Sequence, residues 1–524
     1  PGRYQEHDIS PRSDISCLNL EGKPTADSHQ QCHAYCGYFL TCQKSWNCIQ
    51  VTAYKHPITP HEKIRRCQWL KTKLITSLSN YHNQKRLYLP NEIWSLVAKD
   101  LLHCYATINT QVTQGQAARY QVNLNHEVWC KFTTFEGMNY LSSLSNTPLR
   151  GSTAISSPAV ATRKYMYLAE NYLGITELRL LSSPTQPQVD ATPGIWWQEI
   201  EVDSEVTVQS DGTKLRRIFS QDKPSTVWSV LPSKKPRFAY FSLNIHQPLR
   251  MGSLVCNDPS TVAYSVLWHR GISMIHAHTA KDDLSFYKLW PEGLWVYMPL
   301  EKNEVIRELW QRRSPLTRRR GLMLITSMER TFIAGTYLGQ LAHNSPWTLI
   351  EKLEPLPRRI HVEVSDKGIG VLGFESPKPE PAIGDFADLD PPPNPINTNL
   401  RDYLSTKHSL EALQEITPCR KGQEHGISGL LFRYMDGHQE CAGEIRLDSL
   451  CEPLQPDENG RWSLVFKKKD GRFPFVSAVL SRHCEPDTDL ESVINLACSG
   501  KLFWIWSRHQ CYVLYEGQTS PAAT

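Results

Sequence analysis

The feature that most constrains this chain is a two-residue alternation of side chains that returns many times. It is fullest between Gly293 and Gly335, in GLWVYMPLEKNEVIRELWQRRSPLTRRRGLMLITSMERTFIAG. There Val305, Arg307 and Leu309 alternate with Ile306, Glu308 and Trp310, and Leu322, Leu324 and Thr326 alternate with Met323, Ile325 and Ser327. A period of two sends successive side chains to opposite faces, so these runs predict strands rather than helices. The Arg-, Ser- and Pro-rich segment between them predicts the turn of a long antiparallel hairpin.

The same form recurs along the chain. VNLNHEVWCKFTTFEGMNYLSSLSN (122–146) turns at Glu136-Gly137, and SDGTKLRRIF (210–219) turns at Asp211-Gly212. VAYSVLWHRGISMIHAHT (262–279), RRIHVEVSDKGIGVLGFES (358–376) and GISGLLFRYMDGHQECAGEIRLDSL (426–450) each hold two extended runs around a Gly-containing turn. RWSLVFKKKDGRFPFVSAVLS (461–481) and GKLFWIWSRHQCYVLYEGQ (500–518) repeat it. Such short polar turns between apolar runs are the local signature of hairpins. No fixed repeat length joins them, so no solenoid is expected. PKPEPAIGDFADLDPPPNPINTN (377–399) is rich in Pro and acid and predicts an exposed linker or surface loop. RDYLSTKHSLEALQEI (401–416) predicts a short helix.

The first hundred residues differ. Cys17, Cys32, Cys36, Cys42, Cys48 and Cys67 lie among polar residues. Their spacing lacks the C-x2-C pairs of common structural zinc sites, so a packed segment with free thiols is the plainer reading. RRCQWLKTKLITSL (65–78) reads as an amphipathic helix with a basic face. LYLPNEIWSLVAKDLLH (87–103) reads as a second helix that starts at Pro90 with an acid in its first turn. Ile93, Leu96, Val97, Leu101 and Leu102 then share one apolar face.

A chain of 524 residues exceeds one core and predicts two to four domains. No run approaches the ~18 apolar residues of a membrane helix, so no membrane is expected. A net charge of +4 gives no reason to expect nucleic acid. Fifteen scattered cysteines in a long chain favour reduced thiols and a cytoplasmic or nuclear location over a disulfide framework.

Two resemblances follow from these residues. Leu89, Pro90, Glu92, Ile93, Trp94, Val97, Ala98 and Leu101 resemble the opening of the F-box, a helical module that docks on a Skp-type adaptor of a cullin ubiquitin ligase. The likeness covers about 16 residues and implies that Leu89, Pro90, Ile93, Trp94, Val97 and Leu101 face the adaptor. The alternative is an amphipathic helix packed on its own domain. Glu304, Ile306, Leu309, Leu322, Leu324, Thr326, Arg330, Thr331 and Gly335 resemble a hairpin of jacalin-type lectin domains, which are β-prisms. From about 85 to 518 the chain also looks like a group of uncharacterised filamentous-fungal proteins with an F-box-like start. Jacalin-type sugar sites use an Asp in a near-terminal G-x-x-x-D loop. Here the terminal hairpin ends Tyr515-Glu516-Gly517-Gln518, with Glu516 as the available acid.

Nucleotide-binding, nucleophile-elbow and zinc-protease motifs are absent. His276-x-His278 followed by Asp282 and Asp283 can offer metal ligands, but any alternate pair on a strand shares a face, and neither a metal nor a cofactor is assigned. Arg312, Arg313, Arg318, Arg319 and Arg320 surround Ser314-Pro315. That is a solvated loop, or a basic patch that phosphorylation of Ser314 would order.

The expected organisation is mainly β, α+β overall. A Cys-rich region (1–85) and an F-box-like segment (86–118) precede a jacalin-like β domain (119–376), a Pro-rich linker or loop (377–400) and a second β module (401–524) that packs on the first. The expected function is non-enzymatic recognition: a substrate receptor whose helix binds a Skp-type adaptor and cullin and whose β-rich body binds a protein or glycan. The alternative is a lectin-like scaffold with no ligase link. Trp268, Trp295 and Trp310 are available to stack a ligand or to pack a core.

Overall fold

The computed structural model describes residues 60–84, 90, 92–101 and most of 117–521. The longest internal stretches outside that description are 102–116 and 387–402. The protein is mainly β, built of antiparallel strands. It divides into two compact units: residues up to Ser233 with His246–Arg250, and Lys234–Ile245 with Met251–Thr524. This division differs from the one drawn at the Pro-rich stretch. Residues on both sides of that stretch, from Ala239 to Phe374 and from Leu404 to Tyr515, share one apolar cluster. Burying the two sets together removes more apolar surface from water than two separate modules would.

In the first unit, helix α1 (Pro60–Gln84) extends well beyond the predicted 65–78. It buries Glu62, Arg66, Leu70 and Leu74, a stripe spaced four residues apart. The charged members of that stripe have partners. Arg66 holds both carboxylate oxygens of Glu136, with Nη2–Oε1 at 2.9 Å. Arg65 donates to the Glu136 carbonyl at 3.2 Å. Glu136 and Gly137 form the turn of the hairpin Val128–Phe135/Met138–Ser145, with φ of 46° and 78°. Both values suit the tight turn that matches strand twist. A Cβ on Gly137 would lie 2.4 Å from the Trp69 ring, so this position also needs glycine for space.

In the second unit, the Gly293–Gly335 stretch forms strands as predicted but splits between sheets. Leu294–Pro299 pairs with Thr261–Trp268, which in turn pairs with Ile272–Thr279. Ile306–Arg313 and Arg320–Thr326 form the expected hairpin, from Ile306 opposite Thr326 to Arg313 opposite Arg320. Thr331–Gly335, Trp347–Lys352 and Ile383–Gly384 complete that five-stranded sheet. Ile383–Gly384 comes from the Pro-rich stretch, and Phe386 beside it packs edge-on to Trp310 at 5.3 Å. Part of the expected linker is therefore structural.

The predicted helix over 401–416 is two strands, Leu404–Ser409 and Leu413–Arg420. Ala412 has φ 57°, a left-handed turn that no α-helix can contain. Leu404–Ser409 finds its hydrogen bonds on Lys501–Trp506, and this long-range ladder overrides the local helix preference.

Glu304 and Arg330 close the second unit. The Glu304 side chain is fully buried and receives Arg330 Nη1 at 2.9 Å. Arg330 also donates to the Gln439 carbonyl at 2.6 Å and to the Pro299 carbonyl at 3.2 Å. One guanidinium thus joins the ends of strands from three sheets. Removing one partner of such a pair leaves a buried charge without compensation. Arg330→Met is therefore expected to cost about 3–5 kcal/mol in urea unfolding. The double variant Glu304→Leu/Arg330→Met should recover much of that loss, and a double variant no better than the single one would refute the pairing argument.

Buried acids set an alkaline limit. Burial pushes the Tyr140 and Tyr287 hydroxyls up to about 12 and the Cys419 and Cys511 thiols up to about 11. In the unfolded chain thiols lose protons near 8.5 and tyrosines near 10, so the folded state holds more protons above those values. Stability is complete below about pH 8.5 and falls through pH 12. Lys214 and Arg250, driven down chiefly by burial to about 8 and about 9, and Arg216, lowered likewise, act oppositely but are outnumbered by the buried tyrosines and thiols. Tyrosinate absorbance from the buried rings is expected to rise only together with loss of near-UV circular dichroism.

Candidate functional site

Three places bear on function. The first is the helix at 92–101, which begins where Pro90 predicted: the Pro90 carbonyl accepts from the Ile93 and Trp94 amides at 3.1 and 3.2 Å. Its faces are divided. Trp94 and Ala98 are buried, whereas Ile93, Leu96 and Leu101 are 41%, 63% and 40% exposed. Val97 is half-buried and Pro90 exposed. Trp94 therefore leaves the set of residues available to an adaptor, because its indole is already spent on packing. Leu89 lies outside the described residues.

The second is the basic hairpin end. Arg312 is buried and lies over the Trp347 ring, 4.6 Å from its centroid. It is thus fixed against the sheet, and a phosphate on Ser314 would not find it as a free surface cation. Arg313 and Arg320 sit in strands, while Ser314, Arg318 and Arg319 lie outside the described residues. So do Cys17, Cys32, Cys36, Cys42 and Cys48. The aromatic residues considered for stacking a ligand, Trp268, Trp295 and Trp310, are all buried. Glu516 sits in a turn at φ 45°, and its Oε1 accepts from the Lys501 amide at 3.2 Å. That bond commits the carboxylate to the terminal hairpin.

The third is a histidine–carboxylate cluster in the second unit. His276 and His278 project from one face of Ile272–Thr279, and the ladder sets Ser265 opposite His276 and Ala263 opposite His278. The following turn brings Asp282 back: its Oδ2 lies 2.6 Å from His276 Nε2 and 2.9 Å from His278 Nδ1. His278 Nε2 lies 2.7 Å from Ser265 Oγ, which is 3.4 Å from the Tyr287 hydroxyl. The 3-10 helix Leu284–Leu289 forms the cover, and Asp283 caps it by accepting from the Ser285 amide at 3.0 Å. Of the two neighbouring acids, only Asp282 joins the cluster. The Phe286 ring lies 4.2 Å from that of His276, and Tyr297 and Tyr287 flank His278.

Burial, then the neighbouring His276, drives His278 down to about 4, against the pull of Asp282. At neutral pH its imidazole is neutral, with one ring nitrogen able to donate and the other to accept. Ser265, His278 and Asp282 are bonded in the order of a hydrolytic triad. Ser265 is nevertheless fully buried in mid-strand, where no substrate carbonyl can reach its oxygen. The alternation of His276 and His278 and the nearby acids were legible in the sequence. Ser265 was not, because only the strand register brings it there.

No family model matches the chain, and no curated protein matches it significantly. A fluorophosphonate probe tests the burial of Ser265. The folded chain is expected to show no adduct on the peptide containing Ser265, and labelling there would mean that the triad opens to solvent.

Proposed function

We propose that this protein is a recognition protein whose 92–101 helix docks on a Skp-type adaptor of a cullin ubiquitin ligase and whose β-rich body receives the ligand. The observation that carries this reading is the divided helix. A helix belonging wholly to its own core would bury its apolar face, whereas this one anchors through Trp94 and Ala98 and leaves Ile93, Leu96 and Leu101 open. Covering such part-exposed side chains recovers roughly half of the about 1.5–3 kcal/mol that full burial gives, a gain available to a partner. The motif around Pro90 and Ile93 gives that partner its class, by resemblance.

The repeated hairpins of the second unit support a jacalin-like body, and its ligand is a protein rather than a glycan in this reading. The large tryptophans that a sugar would stack on are buried, and Glu516 is held by backbone. The nine described cysteines are all free thiols, which agrees with work in the cytoplasm or nucleus. The interface is formed by exposed residues, so it can be tested without unfolding the protein. Ile93→Asp/Leu101→Asp is expected to reduce capture of a purified Skp-type adaptor–cullin complex at least tenfold with an unchanged thermal midpoint. Equal capture by this variant, or no capture by the parent chain, would overturn the proposal.

A further inference from the structure

We propose that His276, His278 and Asp282 bind a divalent first-row transition ion of the zinc class, at a site independent of the docking helix. The three donor atoms are His276 Nε2, His278 Nδ1 and one Asp282 oxygen, and all lie within 4.8 Å of one another. A zinc-type ion sits about 2.0–2.1 Å from imidazole nitrogen and about 2.0–2.2 Å from carboxylate oxygen, which in tetrahedral geometry separates the donors by about 3.3 Å. The two nitrogen–oxygen distances, 2.6 and 2.9 Å, are those of hydrogen bonds. Each therefore has a proton where the ion would sit, and a small opening of the cluster exchanges the protons for the cation.

The donors are also held as a metal site requires. Two come from a regular strand with fixed register, and the third from a turn anchored by the Asp282 amide on the Thr279 carbonyl at 3.2 Å. Ser265 serves either state of His278. Its hydroxyl donates to Nε2 when Nδ1 carries the proton, and accepts from Nε2–H when Nδ1 binds the ion. His278 is buried, while His276 and Asp282 reach solvent, so an ion has an entry side and an open position for water. Phe286 and Tyr287 cover the remaining side and keep the site partly dry. Two imidazoles and one carboxylate suit zinc, cobalt or ferrous iron better than calcium or magnesium, which prefer oxygen.

The test titrates the full chain, stripped with chelator, with cobalt(II) as a spectroscopic probe and then with zinc. One equivalent of cobalt is expected, with visible d–d bands of nitrogen–oxygen ligation, displaced by one equivalent of zinc. Asp282→Asn, which keeps shape and hydrogen-bonding ability, and His276→Gln, at a partly exposed position, should each weaken binding at least a hundredfold with unchanged near-UV circular dichroism. Ser265→Ala should weaken it roughly tenfold to a hundredfold, as loss of a supporting hydrogen bond does. Absence of a cobalt spectrum, equal affinity in Asp282→Asn, or thiolate charge-transfer bands that place the ion on cysteines would each overturn the assignment.

Discussion

The second unit depends on one guanidinium. Arg330 meets a fully buried carboxylate at Glu304, 26 residues earlier in the chain, and two backbone carbonyls at Pro299 and Gln439. Pro299 and Gln439 are end residues of two strands, and Glu304 lies in the turn that leads into a third. Apolar burial brings the sheets together, but it is nearly indifferent to small slides of one sheet over another. A charged fork with fixed donor directions is not indifferent, so it selects one packing among several of similar area. The first unit uses the same device. Arg66 of α1 grips Glu136 at a hairpin turn, and the neighbouring Arg65 reaches the Glu136 carbonyl. In both units an arginine distant in sequence converts a flexible turn into a fixed corner.

This explains why the histidine cluster can be exact in its geometry without being rigid by itself. Ser265, Tyr297 and Trp295 share a face of the three-stranded sheet with His276 and His278. The opposite face, with Tyr264, Val266 and Met298, enters the main apolar core. Positions on the functional face therefore inherit their spacing from residues that never touch it. The covering 3-10 helix adds Phe286 and Tyr287, held by the Asp283 cap rather than by a long helical ladder.

Hairpins were the legible part of the sequence, because alternation and Gly-containing turns are local signals. Glu136-Gly137, Asp211-Gly212 and Asp436-Gly437 all turn where expected. Partnership between sheets was not legible. Leu294–Pro299 lies in the same 293–335 stretch as the hairpin yet pairs with Thr261–Trp268, since register and burial over the whole unit decide its place. The same limit explains the segment at 401–416. Its apolar residues fit a helix locally, but Ala412 turns left-handed and Tyr434 and Lys501 supply partners from far along the chain. At the functional positions the sequence marked residue types, such as His276, His278 and Ile93, but not their neighbours. It could not tell that Trp94 faces inward while Ile93 faces out, because one helical turn holds both.

The ladder between Leu404–Ser409 and Lys501–Trp506 has a consequence for how the protein is made. Leu404 is opposite Trp506, about a hundred residues further on. A ribosome must therefore synthesise nearly a hundred more residues before the earlier strand has its partner, several seconds at ordinary elongation rates. During that interval the strand edge carries unpaired amides and carbonyls next to apolar side chains, the surface on which chains aggregate. Completion of the second unit is thus paced by translation.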